Sequence, residues 1–381
     1  MSGQWREMVA RLVADGALTP EWEPVFGGLP RAGFLPDVLW RHQVASGEVE
    51  AVDRRRDPQR WREAAESAHP LVTQWDDGEP EAQGRGRVAS SSASAPHVVA
   101  AMLRDLDVRP GQRVLEIGTG TGWNAALLAS RLGAENVTTV EVDTSVAAAA
   151  RGALDRQGLG AVTVVCGDGF QGYPPRAPYD RIIVTCGVHT FPRAWWEQCR
   201  PGGVIVVPWG TRFTSTEATV ALTVAEDGRS ARGTFQDLVQ FMSLRAQRRE
   251  VPEYADYVTA ESRDKAERSA TTLTLGETIA GEWDVSRLVL GLLVSDCTVI
   301  LDEPQDGQRP VWLCSLADDR SWACVLFRED RVESTVYQYG DRRLWDEVEA
   351  AYGWWRGQGR PGLGRLGLTV DDDGQHVWVA K

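Results

Sequence analysis

Residues 114–123 read VLEIGTGTGW. A short apolar run breaks into glycines at 118, 120 and 122, and an apolar stretch of helical spacing opens at Trp123. Glycines fall between a strand and a helix where the backbone must turn sharply and let a ligand come close. The spacing narrows the ligand class. Dinucleotide-binding loops run Gly-x-Gly-x-x-Gly, and here the last of those positions is Trp123, whose indole leaves less room for a pyrophosphate at the helix start. No Gly-Lys-Ser/Thr follows, which excludes a phosphate-binding P-loop.

Outward from this loop the chain alternates. VTTVEVD, VTVVCGD, YDRIIVTC and VIVVPWG read as strands, whereas WNAALLASRLG, SVAAAARGALDRQGLG and AWWEQCRPGG read as helices. This rhythm predicts an α/β fold, a doubly wound and mostly parallel sheet covered on both faces. Ligands of such sheets sit at the carboxyl ends of the strands. The rhythm stops near residue 245. Short strands (PVWLCSL, SWACVLF, STVYQYG, HVWVA) and a helix at LWDEVEAAYGWWRGQG follow, and they predict an additional C-terminal α+β domain. The expected division is 1–80, helical and irregular; 81–245, the doubly wound domain; and 246–381, the α+β domain.

The glycine pattern E-x-G-x-G-x-G begins at Glu116, and Glu141 closes the next strand. That pairing suits S-adenosylmethionine, because a strand-end carboxylate offers several acceptor sites to two ribose hydroxyls. Asp168-Gly169 closes the third strand, placed to meet an adenine amino group. The expected cofactor contacts are Glu116, Gly118, Thr119, Gly120, Gly122, Trp123, Glu141, Val142, Asp168, Gly169 and Thr185, the last ending the fourth strand. The bland alternative is a loop that merely turns, with Glu141 and Asp168 as solvated acids.

Bulk properties set limits. The chain has 381 residues and a formal net charge of −13, which argues against a general nucleic-acid or anionic-membrane partner. No apolar run approaches membrane-spanning length, and the first residues lack a signal core. Cys166, Cys186, Cys199, Cys297, Cys314 and Cys324 show no metal-ligand spacing, so no metal is expected, and they read as reduced thiols of a cytoplasmic protein. Oligomeric state is not legible.

RVASSSASAPHVV, residues 87–99, is the other informative stretch. Within the Gly-, Pro- and Ser-rich segment 77–95 it reads as a loop, with Ser94 or Ala95 capping a helix that has Pro96 in its first turn. Its serines fit a linker, a cap or a patch of hydroxyls aimed at a ligand. Arg85 and Arg87 flank them and would either pair with acidic groups of a substrate or stay solvated. His97 either packs beneath the helix start or touches substrate.

SASAPHVVAAML, VLEIGTGTGWNAALLA, GDGFQGYPPRAPYDRIIVT and PGGVIVVPWG together resemble the protein-L-isoaspartate O-methyltransferases, with LPRAGFLP (29–36) like that family's entry segment and FMSLR (241–245) like its closing one. The resemblance implies a Rossmann-like, class I S-adenosylmethionine-dependent methyltransferase core. It also implies that Ser92 and Ser94, at the family's Thr-x-Ser positions before Ala-Pro-His, hold the accepting carboxylate, with Ser91, Arg85, Arg87 and His97 beside the substrate. Two departures, the length beyond 245 and the sequence of 37–80, resemble an actinobacterial branch found with ribosomally made, modified peptides. On that reading the partner is a modified precursor peptide whose aspartate is esterified and collapses to an aspartimide. The alternative is repair of L-isoaspartyl residues in proteins, and a third reading is a binding module that keeps only the methyltransferase shell. A nucleobase or amide N-methyltransferase is disfavoured, because Tyr173-Pro174-Pro175 lacks the amide or acid of that signature.

Overall fold

The computed structural model describes residues 2–42, 49–79, 86–248, 252–279, 283–328 and 330–380. Its first sheet lies where the sequence predicted helical and irregular chain. Strands β1 (Val38–His42), β2 (Val49–Asp53), β3 (Leu71–Trp75) and β4 (Ala89–Ala93) form an antiparallel sheet in the order β2-β1-β3-β4. The helix Pro58–Ala65 buries Trp61, Ala64 and Ala65 against Leu39, Val52 and Leu71 of this sheet. The serine stretch is therefore a strand, and the loop expected over 77–95 is corrected there. Serine is a poor strand former, so the pairing is imposed by the apolar start of β3, with Leu71 opposite Ala93 and Val72 opposite Ser92. The expected boundary at residue 80 also shifts, because β3 and β4 are partners.

The helix Pro96–Leu106 follows, with Ala95 as its N-cap and no side-chain cap bond. Its apolar spacing buries Val99, Ala100, Met102, Leu103 and Leu106. Next come β5 (Val114–Ile117), β6 (Val137–Glu141), β7 (Thr163–Cys166), β8 (Tyr179–Val184), β9 (Cys199–Gly210), β10 (Glu217–Val224) and β11 (Ala231–Val239). β7-β6-β5-β8-β9 pair in parallel. The order reverses between β5 and β8, and that switch point is where a doubly wound sheet binds its ligand.

β12 (Glu267–Thr271), β13 (Cys297–Leu301), β14 (Arg309–Ser315), β15 (Trp322–Phe327) and β16 (Ser334–Tyr339) form a separate antiparallel sheet. β17 (Leu366–Asp371) and β18 (Gly374–Val379) do not join it. They pair onto β11 and extend the central sheet to nine strands, with Leu366, Leu368 and Val370 buried. The C-terminal α+β region thus returns its last hairpin to the central sheet, which removes an open edge at β11. Helices Val285–Leu293 and Leu344–Gly357 bury Leu288, Val289, Trp345 and Val348 in one core continuous with Leu222 and Phe235 of the central sheet.

Candidate active site

A cavity of about 950 Å³ opens at the carboxyl ends of β5, β6 and β8. Two walls face each other across it, one made by the glycine loop and one by the serine strand.

On the loop wall Gly118, Gly120 and Gly122 have φ of +92°, +52° and +84°. A Cβ at Gly118 would stand 2.8 Å from Thr185 Oγ1 in a backbone conformation that side chains rarely adopt. The Thr185 hydroxyl donates to the carbonyls of Ile117 and Gly118 and so fixes the turn. Glu141 accepts from Gly120 N–H at 2.9 Å and from Asp143 N–H at 3.1 Å. Val142 beside it is 41% exposed, an apolar face left open at the cavity. Asp168 lines the same wall and caps its own turn by accepting from Phe170 N–H at 2.9 Å.

Glu116 sits deeper. It is fully buried, opposite Thr139 in the strand register, and accepts from Thr139 Oγ1 at 2.5 Å and from Asn124 Nδ2 at 2.7 Å. Thr139 in turn shares a hydroxyl bond with Thr119 at 2.7 Å. Burial pushes the Glu116 carboxyl up to about 7 against these two bonds, with the charge of Glu141 adding to the rise. The carboxylate thus braces the loop from below. Trp123 is likewise braced: its Nε1 donates to the Leu29 carbonyl at 2.9 Å, and its ring meets Trp5 and Phe26 edge-on at 5.9 and 5.5 Å. Both residues still contribute to the cavity lining.

The serine wall divides its hydroxyls. Ser90 Oγ donates to Gln74 Oε1 at 2.8 Å, and the buried Ser91 Oγ accepts from Thr73 Oγ1 at 3.2 Å. Ser91, expected beside the substrate, lines the cavity while its hydroxyl is engaged by Thr73 of the neighbouring strand. Ser92 and Ser94 are half-buried at the cavity, and among the described residues nothing hydrogen-bonds to either hydroxyl. The Ser92 carbonyl lies 3.5 Å from where a Gly120 Cβ would stand, so the two walls nearly touch there. His97 lines the cavity, and its imidazole is held below the ordinary value by partial burial, opposed by Asp237. The Arg87 backbone N–H donates to Asp76 Oδ2 at 2.8 Å, and Arg87 is not among the lining residues. Arg85 lies outside the described residues.

Some residues that line or support the cavity carried no expectation. Arg31 is fully buried and donates to the carbonyls of Ala65, Ser67, His69 and Ser94 at 2.9–3.1 Å, which fixes the C-terminal end of the serine strand. Burial lowers its guanidinium to about 9. The segment 238–245, Arg248 and Trp283 complete the lining. By resemblance FMSLR marked lining residues 241–245 and LPRAGFLP the supporting segment that holds Arg31, but residue type alone gave no role for Arg31. Cys186, next to Thr185, is a packed thiol pushed up by burial. Among the described residues no group of acids, histidines and cysteines could hold a metal, and no helix is long and apolar enough to cross a membrane.

Comparison with known proteins gives a consistent result. The family described as Protein-L-isoaspartate(D-aspartate) O-methyltransferase matches residues 66–248. A protein-L-isoaspartate O-methyltransferase of Pyrococcus horikoshii is 45% identical over 123 residues, 32% of this chain and 56% of that protein. One of Methanopyrus kandleri is 44% identical over 151 residues, 39% of this chain and 64% of that protein. One of Thermococcus onnurineus is 38% identical over 183 residues, 46% of this chain and 80% of that protein. The chain spans 56–64% of the length of the first four such relatives. A solved structure named protein-L-isoaspartate O-methyltransferase shares the fold at a TM-score of 0.53 and 22% identity, covering 99% of this chain and 100% of its own.

Proposed function

Because the chain belongs to the protein-L-isoaspartate O-methyltransferase family, we propose that it methylates a carboxylate of isoaspartyl residues in peptides or proteins, with S-adenosylmethionine as donor. The observation that carries this reading is the pair of unengaged hydroxyls, Ser92 and Ser94, set across the cavity from the glycine loop.

The loop wall fits the donor. Glycines leave room for close backbone approach, Glu141 is held by two N–H groups at the strand end, and the exposed Val142 offers an apolar face to a base. Glu141 and Asp168 place negative charge there, which favours a sulfonium and disfavours a pyrophosphate. When bound, the donor supplies an electrophilic methyl group. The accepting carboxylate is already ionised at neutral pH, so no general base is needed. What the chain contributes is placement, partial desolvation and exclusion of water. Hydroxyls serve better than cations here, since they orient the anion without neutralising it.

The modified-precursor reading rested partly on the length beyond residue 245. A solved structure named protein-L-isoaspartate O-methyltransferase shares the fold over that length too, so length no longer favours it. The C-terminal region keeps a part in our proposal: Trp283, 60% exposed, lines the cavity and offers an indole to the peptide flanking the acceptor.

The test compares methyl transfer to an isoaspartyl peptide, to the aspartyl peptide of the same sequence, and to an aspartyl peptide closed by a side-chain cross-link. Selective turnover of the first is expected. Turnover confined to the cross-linked peptide would restore the precursor reading, and absence of donor binding by calorimetry would leave only a binding module.

A further inference from the structure

We propose that Asp77, Arg245 and Arg248 form an ion-paired clamp that sets the position of the serine strand over the glycine loop, and that these three are positioning residues for methyl transfer. This rests on the functional reading above. The Asp77 carboxylate is gripped by Arg248 through both oxygens at 2.6 Å each, and Arg245 Nη2 reaches it at 3.0 Å. Arg245 Nη2 also reaches Asp143 Oδ2 at 3.3 Å.

The clamp closes a ring of polar contacts around the cavity mouth. Asp77 N–H donates to Ser90 Oγ at 3.1 Å, Ser90 donates to Gln74, and Gln74 Nε2 donates to Asp143 Oδ2 at 3.2 Å. Asp143 N–H in turn holds Glu141. The serine strand is thereby tied to the donor side of the site through Asp143 and to the segment that carries the two arginines.

That segment is itself rooted. Gly187 N–H donates to the Met242 carbonyl at 2.9 Å, Leu244 N–H to the Gly187 carbonyl at 2.8 Å, and Gln247 Oε1 accepts from His189 and Thr190 N–H at 3.0 Å. The arginines therefore stand on the end of the central sheet. The strand they hold is less secure on its own, because its pairing to β3 is irregular at Gln74. Arg31 fixes its far end at Ser94, and the clamp fixes the near end at Ser90. Asp76 and Asp77 both adopt left-handed backbone, φ +45° and +57°, which aims the Asp77 carboxylate at the arginines while Asp76 staples Arg87 and Val88 N–H.

Side chains of Asp77 and Arg248 are 37% and 33% exposed, so the pair adds little to global stability. Placement is different: a shift of about 1 Å in a reacting group lowers a rate by about a hundredfold. Loss of the clamp is therefore expected to act on turnover and spare the fold.

The test uses the full chain, with Asp77→Asn, which keeps the left-handed preference while removing the charge, Arg248→Gln as its counterpart, and Asp77→Glu as the conservative variant. With an isoaspartyl peptide, Asp77→Asn and Arg248→Gln are expected to lower kcat about tenfold or more, with donor Kd within about twofold and unchanged melting. Raising salt from about 0.05 to about 0.5 M should lower wild-type kcat and leave the Asn variant flat, and Asp77→Glu should recover much of the loss. Amide hydrogen exchange at residues 89–93 should rise about tenfold in Asp77→Asn alone, a readout independent of substrate. Wild-type kcat retained in Asp77→Asn, or unchanged exchange across 89–93, overturns the clamp. A wild type that binds the donor, methylates no isoaspartyl peptide and still shows the exchange change overturns the substrate reading and leaves the clamp standing.

Discussion

The two walls of the cavity are built by opposite routes. The loop wall is contiguous: Glu116, Gly118, Thr119, Gly120 and Gly122 lie in one strand-loop-helix turn, and Thr139, Glu141 and Thr185 meet them from the neighbouring strands of the same parallel sheet. The serine wall is assembled at long range, with Arg31, Gln74, Asp77, Arg245 and Arg248 converging on one short strand. A wall encoded locally holds its shape through sterics of the backbone. A wall assembled from distant segments holds its shape through buried donors and ion pairs, so single side chains there should carry disproportionate weight.

The sharpest way to break that contrast is Arg31→Met. It removes donors from four main-chain carbonyls around a fully buried guanidinium, and the loss is partly offset by no longer burying a cation. A fall in unfolding free energy of roughly 3–4 kcal/mol is expected in urea titrations, with Arg31→Lys recovering only part of it. A loss below about 1 kcal/mol would mean that the serine wall does not depend on this side chain.

On the loop wall two carboxylates should behave differently. Glu116, raised from 4.5 to about 7, binds its proton more tightly in the fold than in the unfolded chain. Its contribution is full below about 4.5 and is lost as pH rises through about 7. Glu116→Gln is isosteric and does not titrate, so it should match wild type at low pH and exceed it by up to about 3 kcal/mol above neutrality. Melting curves across that range check the sign; a variant less stable than wild type at pH 8 would reverse it. Glu141→Ala, by contrast, should weaken donor binding by about 1.5–3 kcal/mol in calorimetry. Unchanged affinity would remove Glu141 from the donor site.

The same contrast explains what could be read from sequence. Three glycines before a helix and a strand-end acid are local signals, and the structure brings Gly118, Gly120, Glu141, Val142 and Asp168 to one cavity. Periodicity also gave the parallel strands. It failed for the serine strand, because Ser-Ser-Ser has no strand preference and the pairing comes from Leu71–Trp75, across a Gly- and Pro-containing stretch. It gave HVWVA as a strand but not its place in the central sheet, because nothing local tells the β17–β18 hairpin that its partner is β11, well over a hundred residues earlier. Arg31 was illegible for the same reason, since a buried arginine without a carboxylate is defined only by the carbonyls that fold onto it.

The finest division lies within the serine strand itself. Ser91 and Ser94 are three residues apart and both line the cavity, yet the Ser91 hydroxyl is engaged by Thr73 and the Ser94 hydroxyl is unengaged. Ser94→Ala should therefore lower kcat by about fivefold, near 1 kcal/mol of acceptor placement, with donor affinity unchanged. Ser91→Ala should do the reverse, lowering stability by about 1 kcal/mol through loss of the Thr73 bond while changing kcat less than Ser94→Ala does. Steady-state kinetics beside thermal melts separate the two. If Ser91→Ala proved the more damaging to turnover, the acceptor would have to sit on the opposite face of the strand, and the cavity assigned here would lose its substrate side.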